Sequence, residues 1–146
     1  MEIEIRPFEK KDVEAVYELE SISFSMPWAR KDIEALAMGG EHCYFVLLLD
    51  GEIAGFAGYS NQVGEGYVNN VMIAPKYRGK GFSKPLMQAV IDAGHKNGIN
   101  DFSLEVRVSN LSAIKLYESL GFVNYGKRKN FYEKPVEDAY VYWLKS

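Results

Sequence analysis

Between Val68 and Gly98 the chain reads as a strand, a glycine loop and a helix in direct succession, and that succession restricts the fold more than any other stretch. The run Val68-Asn69-Asn70-Val71-Met72-Ile73-Ala74 is rich in β-branched and apolar residues, and Pro75 closes it because proline cannot donate to a ladder. In Lys76-Tyr77-Arg78-Gly79-Lys80-Gly81 two glycines bracket a basic residue, the usage expected where backbone bends sharply or approaches a ligand closely. Leu86, Ala89, Val90 and Ala93, and a turn later Asn97, fall at three- and four-residue spacing, with Gly98 placed as a C-terminal stop. Pro85 is tolerable only near a helix start, so the helix is predicted to begin just after Gly81. The N–H groups of its first turn, carrying roughly half a positive charge from the macrodipole, suit a phosphate, and Lys80 and Lys84 add charge around them.

Spacing separates the phosphate loops that use this chemistry. A dinucleotide fingerprint requires a third glycine three residues after Gly81, where Lys84 stands, and a Walker loop requires a Gly-Lys-Ser/Thr that is absent. The pattern Arg78-x-x-Gly81-x-Ser83 instead resembles the acyl-CoA pyrophosphate loop Gln/Arg-x-x-Gly-x-Gly/Ala of the GNAT superfamily of N-acetyltransferases. Ser83 departs from the usual glycine or alanine but is small enough to keep close backbone approach. The ordinary alternative for a Gly-x-Gly between strand and helix is a tight turn alone.

At 146 residues the chain is expected to form one domain, residues 1–146, large enough to bury about two-thirds of its unfolded surface. It is 47% hydrophobic and 25% charged, an ordinary globular balance, and its net charge of -3 offers no field for general nucleic-acid binding. The single cysteine, Cys43, excludes an internal disulfide, forms no spaced metal set with His42 and His95, and is expected to be a buried, inert thiol. The N-terminus alternates charged and apolar residues and lacks the regions of a signal peptide, and the apolar run from Cys43 to Leu49 is too short to span a membrane. A cytoplasmic protein is expected, without metal, nucleic-acid or membrane partners.

Along the chain, Glu2 to Arg6 alternates as a strand ended by Pro7, and Asp12 to Ser21 carries Val13, Val16 and Tyr17 on one helical stripe. Phe24-Ser25-Met26-Pro27-Trp28 is predicted to turn, because Met26-Pro27 cannot continue a helix. A second helix is expected from about Ala29 to Met38, stopped by Gly39-Gly40. Tyr44 to Leu49 and Ile53 to Tyr59 form a hairpin through Asp50-Gly51, and a polar loop, Asn61 to Glu65, follows. Phe102 to Arg107 is a strand with Ser103, Glu105 and Arg107 on one face. Ser109-Asn110 caps a helix from Leu111 to Leu120 that Gly121 ends, and the strands Phe122 to Lys127 and Ala139 to Leu144 flank a polar and aromatic loop. The expected class is α/β, a mixed sheet of about seven strands with four helices on its two faces.

That order is also the GNAT order, and further segments resemble one branch of the superfamily, the RimI-type enzymes. Leu104-Glu105-Val106-Arg107-Val108-Ser109-Asn110, with Ala113-Ile114-x-Leu116-Tyr117-Glu118-Ser119-Leu120-Gly121-Phe122, looks like their signature. Phe24-x-x-Pro27-Trp28, Arg128-Lys129-Asn130-Phe131-Tyr132 and Glu137-Asp138-Ala139 resemble their substrate-side segments. The resemblance implies that the strand ending at Ile73 and the strand of Glu105 splay apart, with the pantetheine arm of acetyl-CoA pairing in the gap. It implies Glu105 as the base acting through water on the substrate ammonium, and Tyr117 as the acid at the leaving thiolate. It implies contacts to acetyl-CoA from the backbone of Val71, Met72 and Ile73, pyrophosphate binding by Arg78, Gly79, Lys80, Gly81, Phe82, Ser83 and Lys84, and a contact from Asn110 to the CoA arm. Phe24, Trp28, Phe131 and Tyr132 are implied as walls of a peptide groove.

Each role has an ordinary competitor. A strand carboxylate near Arg107 is commonly half of an ion pair, a tyrosine between Leu116 and Leu120 is commonly core, Asn110 is also a helix cap, and the aromatic residues also pack. The chemistry itself is sound: an amine attacks a thioester only when neutral, and with pKa values near ~8 for an α-amino group and ~10.4 for lysine, freeing lysine costs about 3 kcal/mol more. A phenol of pKa about 10 is a weaker acid than a thiol of about 8.5, so Tyr117 helps only when held close to the sulfur as charge develops.

The expectation is direct acetyl transfer from acetyl-CoA to a primary amine, first of all the N-terminal amine of a protein such as a ribosomal protein, by a monomer or weak homodimer. An acetyltransferase for a small-molecule amine and a non-catalytic acyl-CoA-binding module are the rival readings.

Overall fold

The computed structural model describes residues 1–24 and 27–146, and for Asn70 the backbone alone. Ser25 and Met26, in the middle of the turn expected after the first helix, lie outside the described residues. Seven strands form one mixed sheet: β1 (Ile3–Pro7), β2 (His42–Leu49), β3 (Glu52–Gln62), β4 (Glu65–Ile73), β5 (Phe102–Arg107), β6 (Val123–Tyr132) and β7 (Glu137–Leu144), in the spatial order β1-β2-β3-β4-β5-β7-β6. The helices are α1 (Val13–Ser23), α2 (Arg30–Leu36), α3 (Ser83–Lys96) and α4 (Leu111–Ser119).

Alternation along the central strands feeds two cores. Tyr44, Val46 and Leu48 of β2 join Val16 and Leu19 of α1 and Ile33 and Leu36 of α2 on one face. Leu47 and Leu49 join Leu86, Val90 and Ile91 of α3 and Tyr117 of α4 on the other. Burying both faces is why these strands read as continuous apolar runs.

Chain reversals follow from backbone conformation. Asp50 and Gly51 both take positive φ, 49° and 83°, as the tight hairpin requires. The expected loop Asn61 to Glu65 is instead a second tight hairpin: Gln62 pairs with Glu65, Val63 and Gly64 have φ of 52° and 84°, and Asn61 Oδ1 accepts the Gly64 N–H at 2.9 Å. A β-branched residue at a left-handed position is uncommon, so Val63 hid this turn. Pro7 ends β1 as expected, as its last residue paired with Phe45, a place that an edge strand tolerates. Arg128 to Tyr132, expected in a loop, extend β6, with register shifts after Asn124 and after Arg128.

Among the described residues the only parallel pairing is between β4 and β5, joined through α3 as a crossover unit. Phe102 of β5 sits between two glycines: a Cβ at Gly94 of α3 would lie 2.4 Å from its Cζ, and one at Gly66 of β4 would lie 2.6 Å from its Cδ1. Helix and strands approach as closely as they do because these positions carry no side chain.

Candidate active site

Parallel pairing of β4 and β5 is confined to Gly66 with Phe102 and Tyr67 with Ser103. Beyond it β5 stays paired with β7 along its whole length, while β4 follows β3 and shifts register between Gly58–Asn69 and Phe56–Met72, so two residues of β4 oppose Ala57. Such a bulge bends the strand. The two strands therefore diverge, and among the described residues the β5-facing edge of β4 from Val68 to Ile73 has no strand partner. A groove of 1310 Å3 opens there. Val71, Met72 and Ile73 line it on one side, and Glu105, Asn110 and Tyr117 on the other.

One end of the groove is the glycine loop. Gly79 and Gly81 take φ of 76° and 84°, and a Cβ on either would meet nothing within 4 Å. Conformation requires glycine at both positions, and the space above the loop is open to a bulky anion. Helix α3 begins at Ser83 with Pro85 in its first turn, no side chain caps its N-terminus, and no acidic residue lies in that turn. Its leading N–H groups and Lys84 can therefore face an anion. Arg78 is tied to β4 by Nε donating to the Ile73 carbonyl at 3.0 Å. Arg78, Gly79, Gly81, Ser83 and Lys84 lie on the groove wall; Lys80 and Phe82 do not, and the Phe82 ring packs edge-on against Tyr77. Asn110 combines both expectations of position, lining the groove while its Oδ1 accepts the Ala113 N–H at 3.2 Å as the cap of α4.

In the middle of the groove Glu105 is held from both sides. The Tyr67 hydroxyl donates to Oε1, and Arg128 Nη1 donates to Oε2 at 3.1 Å. Arg107 is not the partner of Glu105: it pairs with Glu137 at 3.1 Å, donates to the Pro135 carbonyl at 3.0 Å and stacks on Tyr132 at 4.3 Å. Since each carboxylate oxygen has two acceptor sites, the anchored Glu105 still has room for a water. Tyr117 is 7% exposed, and burial pushes its phenol above the ordinary tyrosine value, so it stays protonated at neutral pH. Burial, and then the bond to Glu105, likewise raise Tyr67.

The remaining walls come from the α1–α2 connector and the end of β6. Phe24 and Trp28 lie between α1 and α2, and Phe131 and Tyr132 at the end of β6, their rings 5.0 Å apart. Burial, and next the charge of Glu105, push the Tyr132 phenol up to about 12. The structure thus brings together four aromatic residues that are distant in sequence. It also adds Tyr67, Arg128 and Glu20, which sequence reasoning did not single out. Tyr67 stands just before the apolar run that begins at Val68, and Arg128 falls in the expected loop; only the β4–β5 and β5–β7–β6 registers bring them to Glu105. Among the described residues, no group of three His, Cys, Asp or Glu side chains can hold a metal ion.

Residues 13–122 match the model of the Acetyltransferase (GNAT) family. The chain is 34% identical over 142 residues to a protein of Bacillus subtilis named a putative ribosomal protein bS18-alanine N-acetyltransferase, covering 96% of this chain and 93% of that one. It is 35% identical over 128 residues to the Escherichia coli ribosomal protein bS18-alanine N-acetyltransferase, covering 88% and 86%. The crystal structure of the ribosomal-protein-S18-alanine N-acetyltransferase from Escherichia coli superposes with a TM-score of 0.90 at 33% identity, over 99% of this chain and 94% of that one.

Proposed function

The chain belongs to the GNAT acetyltransferase family, and from that premise we propose that it transfers the acetyl group of acetyl-CoA to the N-terminal α-amino group of a protein, with an N-terminal alanine as the first candidate. The observation that carries this reading is the presence of Glu105 and Tyr117 in the groove between the diverging β4 and β5, opposite the edge of β4 and lined also by the open glycine loop before α3. The relatives named for acetylating ribosomal protein bS18 supply the acceptor class. In this reading residues 1–146 act as one acetyltransferase domain, in the cytoplasm, as a monomer or weak homodimer.

Acetyl-CoA supplies the activated acyl group. The loop from Arg78 to Lys84 and the first turn of α3 hold its pyrophosphate, with Asn110 beside its arm. The partnerless edge of β4 from Val71 to Ile73 offers main-chain groups to the pantetheine amides, and a strand N–H there steadies the carbonyl oxygen as negative charge builds on it. Glu105, oriented by Tyr67 and Arg128, accepts through water the proton that the acceptor ammonium must lose before it can attack. Tyr117 keeps its proton until charge develops on the departing sulfur and then donates to it. Because the phenol is a weaker acid than the thiol, its contribution is a hydrogen bond that strengthens during the reaction, with the sulfur's final proton drawn ultimately from solvent. Phe24, Trp28, Phe131 and Tyr132 enclose the acceptor's first residues.

The test is acetyl-CoA-dependent mass gain on a peptide beginning with alanine, beside the same peptide with a blocked N-terminus and a free internal lysine. Acetylation of the unblocked peptide alone is expected, with kcat lowered about 100-fold in Tyr117→Phe. Mass gain on the blocked peptide would assign lysine as acceptor. Absence of gain on both, with free amines turned over instead, would replace the reading with a small-amine enzyme.

A further inference from the structure

Two charged side chains are buried among the described residues, Asp12 at 4% and Glu20 at 1% exposure. Asp12 is neutralised locally: Arg6 forks onto it at 2.8 and 2.9 Å, and the Glu9 main-chain N–H donates to it. Glu20 is bonded differently. Its carbonyl accepts the Phe24 N–H at 3.2 Å, closing α1, and its Oε1 accepts the Trp28 N–H at 3.1 Å. The first is a main-chain bond that any residue there would make; the carboxylate itself ties the far end of the α1–α2 connector, at Trp28, back to α1, and Glu20, Phe24 and Trp28 all line the groove. Pro27 has no N–H, so Trp28 is the first residue beyond it whose main chain can be tied back to α1.

Stability alone is a poor reason for a carboxylate here. Burial pushes the Glu20 carboxyl up to about 6, so keeping it ionised at neutral pH costs free energy that an apolar side chain would not. An ionised acceptor does, however, make a shorter and stronger bond to an N–H than a neutral one. That strength matters where a connector has to stay in one place beside a substrate.

We infer that Glu20 is a positioning residue for the acceptor: by holding the Trp28 main chain it sets the acceptor wall of the groove, and so governs acceptor binding while leaving acetyl-CoA binding untouched. The inference rests on the acetyl-transfer reading above. Glu20→Ala is expected to raise the acceptor KM about tenfold or more with the acetyl-CoA KM within about twofold, and Glu20→Gln, which keeps an acceptor oxygen, to recover most of the loss. In a Trp143→Phe background Trp28 is the one remaining tryptophan. Its emission should shift to the red and become more quenchable in Glu20→Ala but not in Glu20→Gln. Trp28→Ala should show the same KM split, and adding Glu20→Ala to it should cost less than Glu20→Ala costs alone, since the indole that the bond to the Trp28 main chain positions is already gone.

An unchanged acceptor KM in Glu20→Ala overturns the inference, as does a parallel rise in both KM values, which would mark a general loss of structure. Should Glu20→Ala fail to fold, Trp28→Ala and Glu20→Gln decide the matter by the same split: an acceptor KM unchanged in Trp28→Ala overturns it. Should the wild type acetylate a small amine and no peptide, the peptide reading falls alone, and the split is measured on that amine. A wild type that turns over no amine overturns both.

Discussion

At the scale of single residues the site is built on fixing a carboxylate. Glu105 would be mobile on an isolated strand; here the Tyr67 hydroxyl and the Arg128 guanidinium each take one oxygen. Removing one donor leaves a nearly buried oxygen, on a side chain 10% exposed, short of a partner, at a cost of about 1–3 kcal/mol. Tyr67→Phe is therefore expected to lower kcat about tenfold while acetyl-CoA affinity, measured by calorimetry, is unchanged. An unaltered kcat would show that Arg128 alone suffices to hold Glu105. Glu105 and Tyr117 were both legible in the sequence through the spacing of a recognisable signature. Tyr67 was not, because a tyrosine before an apolar run carries no mark of its partner, which lies 38 residues away.

At the scale of elements, strand, glycine loop and helix act as a unit. Their boundaries followed closely from Pro75, Gly81, Pro85 and Gly98, since each imposes a backbone restriction that few other residues share. Gly81 has φ of 84° with open space around its Cβ position, so a β-branched replacement is opposed by conformation and by the ligand it would crowd, not by neighbouring protein atoms. Gly81→Val is expected to weaken acetyl-CoA binding by about 100-fold or more, with the far-ultraviolet spectrum retained; tight binding in that variant would displace the cofactor loop from this position. The terminal hairpin shows where element-level reading stopped. The basic and aromatic residues from Arg128 to Tyr132 have the composition of a loop, but in the structure they extend β6 through an irregular register that carries Arg128 to Glu105 and Tyr132 to the groove.

At the scale of the whole molecule the sheet holds an unfinished joint. The β4–β5 divergence leaves a strand edge without a partner inside the protein, and whatever fills the gap is linked to folding by mass action. Acetyl-CoA at a hundredfold excess over its dissociation constant should stabilise the protein by about 2.7 kcal/mol, seen as a rise of several degrees in Tm. Hydrogen exchange should slow most along Val68 to Ile73; protection appearing elsewhere would place the ligand outside the gap.

The amino-acid sequence by itself determined the class of fold, the glycine loop, the start and end of α3 and the Asp50-Gly51 hairpin. All of these rest on local restrictions, from backbone conformation or from short-range spacing, that one stretch of chain carries alone. Only the tertiary structure decided where β4 leaves β5, which side chains hold Glu105, and how Glu20 grips the connector of Phe24 and Trp28. Those depend on register between strands remote in sequence and on a buried carboxylate meeting a main-chain N–H eight residues on, across a proline. Pairings of that kind are set by how the sheet and helices pack, and no single segment encodes them.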